Sequence, residues 1–126
     1  MKLHHVGLAC NDIPESVAQL RKLYAVASVS DAIYDENQNA TVCLVETENG
    51  VNIELVAGER VESLLKRGIS YYHLCDEVPQ IQDKIESMRL EGAMLISDQQ
   101  PAALFGGRCV AFLATGAGLI QLLEEE

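Results

Sequence analysis

His5, Glu54, His73 and Gln121 are the residues whose types and spacing could do chemistry in this chain. Imidazole and carboxylate side chains move protons near neutral pH and hold cations. A lone histidine on a strand is usually structural, so the spacing matters more than the residue types. His5 lies 49 residues before Glu54, and His73 lies 48 before Gln121. Nearly the same interval occurs twice because the chain is written twice, with one residue dropped from the second copy.

Sliding the sequence 68 positions against itself places His5-Val6 on His73-Leu74, Ile13 on Ile81, Val17 on Ile85, Leu20 on Met88 and Arg21 on Arg89. Val42 to Thr47 falls on Val110 to Thr115, and after one residue drops out Ile53-Glu54-Leu55 meets Ile120-Gln121-Leu122. An internal repeat of this length sets the architecture before any single element is considered.

Each copy reads as strand, helix and three strands. Strands are expected at Leu3 to Cys10 and Ser70 to Val78. Helices follow, with apolar residues at helical spacing: Ile13, Val17, Leu20 and Leu23, then Ile81, Ile85, Met88 and Leu90. Asp12 fits an N-cap with Pro14 in the first turn, and Pro79 opens the second helix similarly. Further strands are predicted at 27–35, 40–47 and 51–57, and at 93–98, 108–115 and 118–123. Glu48-Asn49-Gly50 and Gly116-Ala117-Gly118 serve as tight hairpin turns. The first module covers 1–60 and the second 69–126, within one domain of 126 residues. A short helix over 61–68 links them.

Alternation along a strand then sorts the faces. Ile53 and Leu55 share the apolar face that meets a helix, and Glu54 faces away. Gln121 faces away from Ile120 and Leu122 in the same manner. His5 shares a face with Gly7 and Ala9, and His73 with Cys75. The expected fold is α+β, two tandem βαβββ modules forming an eight-stranded mixed-sheet cup with helices outside. The four polar residues would point into the cup. The small residues Gly7, Ala9, Cys43, Cys75 and Ala111 would make it roomy, without aromatic walls. His4 pairs with Tyr72 across the repeat and is expected on the helix side in a partly buried structural role.

Composition excludes several functions. A net charge of −10 with nine scattered basic residues argues against a nucleic-acid partner, because phosphate neutralisation needs clustered Lys and Arg. No apolar run approaches the roughly 20 residues that cross a bilayer, so no membrane association is expected. Without a secretory signal pattern, the expected location is cytoplasmic. Cys10, Cys43, Cys75 and Cys109 show no CxxC spacing and read as reduced, mostly buried thiols.

His5-Val6-Gly7-Leu8-Ala9 followed by Asn11-Asp12-Ile13 resembles the opening of vicinal oxygen chelate proteins. That superfamily includes glyoxalase I, methylmalonyl-CoA epimerase, extradiol dioxygenases and bleomycin-resistance proteins. Ile53-Glu54-Leu55, Tyr72-His73-Leu74 and Leu119-Ile120-Gln121-Leu122 resemble its other signature strands, so the similarity covers essentially the whole chain. The resemblance implies a divalent metal ion, Zn, Co, Ni, Mn or Fe, held by His5, Glu54, His73 and Gln121. It also implies a homodimer, in keeping with module edges that need covering. Such a donor set carries one negative charge and leaves coordination positions for substrate oxygens. The epimerase branch has a glutamate where this chain has Gln121 and a second acid near Cys43, so this chain has one carboxylate rather than two.

The closest branch implies a metal-dependent isomerase or epimerase-like enzyme, acting through an enolate of a small carbonyl or acyl-thioester substrate. Glu54 would be ligand and proton shuttle, and Cys43 a second proton carrier. Arg108, with Gly106 and Gly107 beside it, would sit at the mouth and anchor a substrate anion; a plain hairpin with a surface arginine is the alternative. The alternatives in function are lyase chemistry of the glyoxalase I kind on a glutathione hemithioacetal, and a non-catalytic small-molecule-binding protein of the same fold.

Overall fold

The computed structural model describes residues 1–126. The chain divides into two compact units, His5–Tyr72 and His73–Glu126, the latter including Met1–His4.

The first unit contains most of strand β1 (Lys2–Ala9), helix α1 (Ile13–Leu23) and strands β2 (Val26–Val29), β3 (Ile33–Asp35), β4 (Ala40–Thr47) and β5 (Asn52–Ala57). The strand order is β2-β4-β5-β1, with β3 also on β4. β1 and β5 run parallel, with Gly7 beside Glu54, and β4 and β5 form an antiparallel hairpin. Asp12 caps α1 by accepting the Glu15 N–H at 2.8 Å, with Pro14 in the first turn, as expected. Ile13 and Leu20 of α1 bury against Cys43, Val45, Ile53 and Leu55.

The strand predicted at 27–35 is interrupted. The Ser30 hydroxyl accepts the Leu44 N–H at 2.8 Å, taking a place in the ladder that a main-chain carbonyl would otherwise fill. A register shift between Val26 and Ser28 precedes the break. Beyond β5, a 3-10 turn (Glu59–Val61) runs into helix α2 (Glu62–Lys66), close to the expected linking helix. It closes with the Ile69 N–H on the Leu64 carbonyl.

The second unit contains most of β6 (Tyr71–Val78), then α3 (Ile81–Leu90), β7 (Met94–Pro101), a 3-10 turn (Ala103–Phe105), β8 (Cys109–Thr115) and β9 (Gly118–Glu124). The order is β6-β9-β8-β7, with β6 and β9 parallel. Ile81 and Ile85 of α3 pack on Ala111, Leu113, Ile120 and Leu122. Pro79 stands before the Gln80 cap rather than inside the helix, and that cap has no side-chain hydrogen bond.

The duplication extends to the turns. The Thr47 hydroxyl donates to the Val51 carbonyl at 2.6 Å, and the repeat-equivalent Thr115 hydroxyl to the Gly118 carbonyl at 2.8 Å. The second unit follows the order βαβββ, and the first the same order with its second strand split into β2 and β3; in each, the helix covers one sheet face of an α+β fold. No helix is long and apolar enough to cross a membrane. All four cysteines are free thiols; Cys10, Cys43 and Cys75 are buried.

Candidate active site

In the first unit the helix takes the face of Ile53 and Leu55, which leaves Glu54 on the other. Glu54 is 0% exposed and His5 1% exposed. His5 Nε2 lies 3.4 Å from Glu54 Oε1. Burying a carboxylate is costly unless a charge or hydrogen-bond donor accompanies it, so the two side chains belong to one polar unit inside apolar surroundings. Leu44 stands across the ladder from Glu54 on the same face. Tyr72 is close by. Burial pushes its phenol up, Arg60 acts against that shift, and the Glu54 charge adds to it.

The second unit repeats the arrangement with different chemistry. Gln121 pairs with Cys75 across β6 and β9 and with Phe112 across β8 and β9. His73 is fully buried, and its ring meets Phe112 edge-on, with centroids 5.3 Å apart. Gln121 is 0% exposed, and neither Oε1 nor Nε2 has a hydrogen-bond partner in the protein. Leaving both halves of an amide unsatisfied costs about 1–3 kcal/mol for each group. A ligand that uses the amide oxygen, with a second group for the N–H, would remove that cost.

Phe112 was missed in the sequence, although two signals mark it. It is the repeat equivalent of Leu44, and it is a large residue at the alternate position facing Gln121. The wall of this half is therefore aromatic, contrary to the expectation of a cup without aromatic sides.

Cys43 does not join Glu54. It pairs with Leu55 across β4 and β5, so both point at α1, and its thiol donates to the Ser30 carbonyl at 3.4 Å. Burial raises the Cys43 pKa, which keeps the thiol protonated. Its repeat equivalent Ala111 pairs with Leu122 and also faces the helix. Both residues therefore belong to the helix-side core rather than to the polar face.

Arg108 is committed within its own unit. Its guanidinium donates to Glu77 Oε2, its Nε donates to the Glu124 carbonyl at 2.9 Å, and Glu126 lies 3.7 Å away. Arg108 in turn holds the Glu77 carboxyl below the usual carboxylate range. Gly106 and Gly107 have φ of +65° and +86°, and the Gly107 N–H bonds the Ala102 carbonyl. These glycines are there to turn the chain after the Ala103–Phe105 turn, and no neighbour lies within 4 Å of a side chain placed on either. Arg108 itself is only 17% exposed, with its donors spent inside its own unit.

His4 is half-buried, as expected, but its ring stands edge-on to Phe105 at 5.2 Å. Phe105 packs with Cys75, Ala102, Val110 and Leu123 rather than with the cluster around α3. His4 is therefore not on the helix side.

Residues 4–112 match the family model described as the Glyoxalase/Bleomycin resistance protein/Dioxygenase superfamily, and the chain belongs to that superfamily. Methylmalonyl-CoA epimerase from Mycobacterium tuberculosis has the same fold, with a TM-score of 0.83 over 99% of this chain and 88% of that one, at 19% identity. A hypothetical protein from Bacillus halodurans C-125 gives 0.73 over 99% and 94%, at 24% identity. A Mn(II)-bound glyoxalase from Novosphingobium aromaticivorans gives 0.65 over 98% of this chain and 38% of that one, at 14% identity. No curated protein matches the chain.

Proposed function

We propose that the chain is a metal-dependent isomerase or epimerase-like enzyme. It would act through the enolate of a small carbonyl or acyl-thioester substrate. The observation that carries this proposal is Gln121, an amide with no solvent contact and no hydrogen-bond partner, at the position that repeats Glu54. An interior that leaves both amide atoms unmatched fits a ligand, and an amide oxygen is a natural donor to a divalent cation.

His5, Glu54, His73 and Gln121 would hold that cation. Such an ion, when bound, polarises a carbonyl oxygen and stabilises the negative charge that develops there. The superfamily likeness to an epimerase and to a Mn(II)-bound glyoxalase supports this choice of cofactor class.

The protein's own residues have distinct tasks. Glu54 removes the proton from the carbon beside the carbonyl and returns it to the other face or to a neighbouring atom. His5, 3.4 Å from its oxygen, fixes where that carboxylate points. Phe112 orients the His73 ring through its edge-on contact. Cys43 has no part, because it faces α1.

Incubation of an acyl-CoA in deuterated water, followed by mass analysis of the α-carbon, tests this reaction. Deuterium should enter with the intact protein and metal, and Glu54→Gln should abolish it. Turnover of methylglyoxal with glutathione, without such exchange, would favour the lyase instead.

A further inference from the structure

Arg108, the arginine expected to meet an anion, is neutralised by its carboxylate partners. Arg60 is the opposite case. It is exposed, it makes no ion pair, and its one hydrogen bond runs from Nε to the main-chain oxygen of Gln38 at 2.9 Å. That bond fixes the plane of the guanidinium while leaving both Nη groups uncommitted.

The corner holding Arg60 is densely tied. Gly58 turns the end of β5 with φ +118°, and the fully buried Val61 anchors the 3-10 turn on which Arg60 lies. Asn39 accepts from the Tyr34 hydroxyl at 2.6 Å and donates to Glu59 Oε2 at 2.7 Å. Asp35, itself buried, accepts the Asn37 N–H and the Gln38 Nε2, both at 3.0 Å. The Gln38 carbonyl that grips Arg60 therefore has little freedom to move.

Gln38 supplies a second, independent observation. It is 5% exposed, and its side-chain Oε1 has no hydrogen-bond partner. One residue thus presents a buried acceptor with nothing to accept, and through its main chain it positions a guanidinium with no counter-ion. Arg60 follows Glu54 by six residues along β5 and its turn. The Tyr72 phenol lies within electrostatic reach of both charges.

We infer that Arg60 is an anion anchor of the substrate site. Its two Nη groups take a carboxylate or phosphate oxyanion side-on, in the plane that the Gln38 main-chain oxygen fixes. A guanidinium fork matches an oxyanion in this bidentate way, whereas a lysine would offer a single point charge. The preferred substrates are therefore small acidic molecules. This assignment rests on Glu54 belonging to a small-molecule site, but the binding itself needs neither metal nor turnover.

Backbone amide NMR titrations with lactate and with inorganic phosphate test the inference, on chelator-treated and metal-supplemented protein alike. Saturable shifts at Gln38, Asn39, Glu59 and Arg60 are expected with at least one probe. Arg60→Gln should weaken that binding about tenfold or more, with Arg60→Lys intermediate and the exposed helix variant Arg21→Gln unchanged. Saturation by lactate alone assigns a carboxylate, and by phosphate alone a phosphate. Equal affinity in Arg60→Gln, or no saturation by either probe in the intact protein, overturns the inference. Binding that persists in chelator-treated protein while no metal can be loaded would sustain Arg60 and remove the metal proposal separately.

Discussion

His5 Nε2 lies 3.4 Å from Glu54 Oε1, the two side chains stand on neighbouring parallel strands, and neither touches solvent. A buried carboxylate so close to an imidazole is an arrangement for holding a proton or a cation rather than for stability alone, because replacing such pairs by apolar residues is often neutral or stabilising. Glu54→Gln keeps the shape and removes the basicity. Deuterium entry at the substrate α-carbon should fall by about 10²–10⁴-fold while the thermal melt changes little. A variant that exchanges as fast as the parent protein would take the proton-transfer role away from Glu54.

Gln121 separates stability from function. Gln121→Leu removes two buried unsatisfied polar groups in nearly the same volume. In chelator-treated protein it should be neutral or stabilising, by up to about 1–3 kcal/mol in urea unfolding. The same variant should bind divalent metal less tightly. If Gln121→Leu instead destabilises the metal-free protein, the amide has a structural partner and the strongest support for a ligand there is gone.

The two halves of the site were unequally legible in the sequence. Glu54 and Gln121 each lie between two large aliphatic residues, so alternation alone assigned their faces. Cys43 was misplaced because matching it to a family position ignores parity; only the pairing with Leu55 shows that it points at α1. Arg108 looked available because its partner Glu77 is 31 residues away, on a strand that no local pattern pairs with it. The interruption at Ser30 was hidden for a related reason, since a hydroxyl entering the ladder leaves hydrophobic patterning intact.

Arg108→Ala should leave deuterium exchange unchanged and destabilise the fold by about 1–3 kcal/mol at pH 7. The sign of its pH dependence follows from Glu77. The folded-state pKa of this carboxyl is lowered, chiefly by the hydrogen bond from Arg108. The stability it contributes is present above the unfolded glutamate pKa and is lost as pH falls through the folded value. Urea midpoints of parent and variant should therefore converge in acid. A gap that stays constant down to low pH would show that Arg108 acts through packing alone.

Cys43→Ala tests the helix-side placement. It should cost stability through a small cavity while retaining exchange activity. Burial raises the pKa of Cys43 and of Cys10, so both thiols should alkylate slowly in the native protein at neutral pH. For these acids the neutral form is favoured by folding. Their contribution holds below the unfolded thiol pKa and fades as pH rises through the folded one. Loss of exchange activity in a folded Cys43→Ala would return the cysteine to the chemistry.

Metal content of the purified, metal-supplemented protein is the most direct measurement, taken on the parent chain, on one variant from each unit (His5→Ala and His73→Ala) and on Arg21→Gln. One equivalent of divalent metal per chain is expected in the parent and in Arg21→Gln, with loss in both histidine variants. No bound metal under any supplementation, or metal retained when either histidine is removed, would contradict a single ion shared by His5, Glu54, His73 and Gln121.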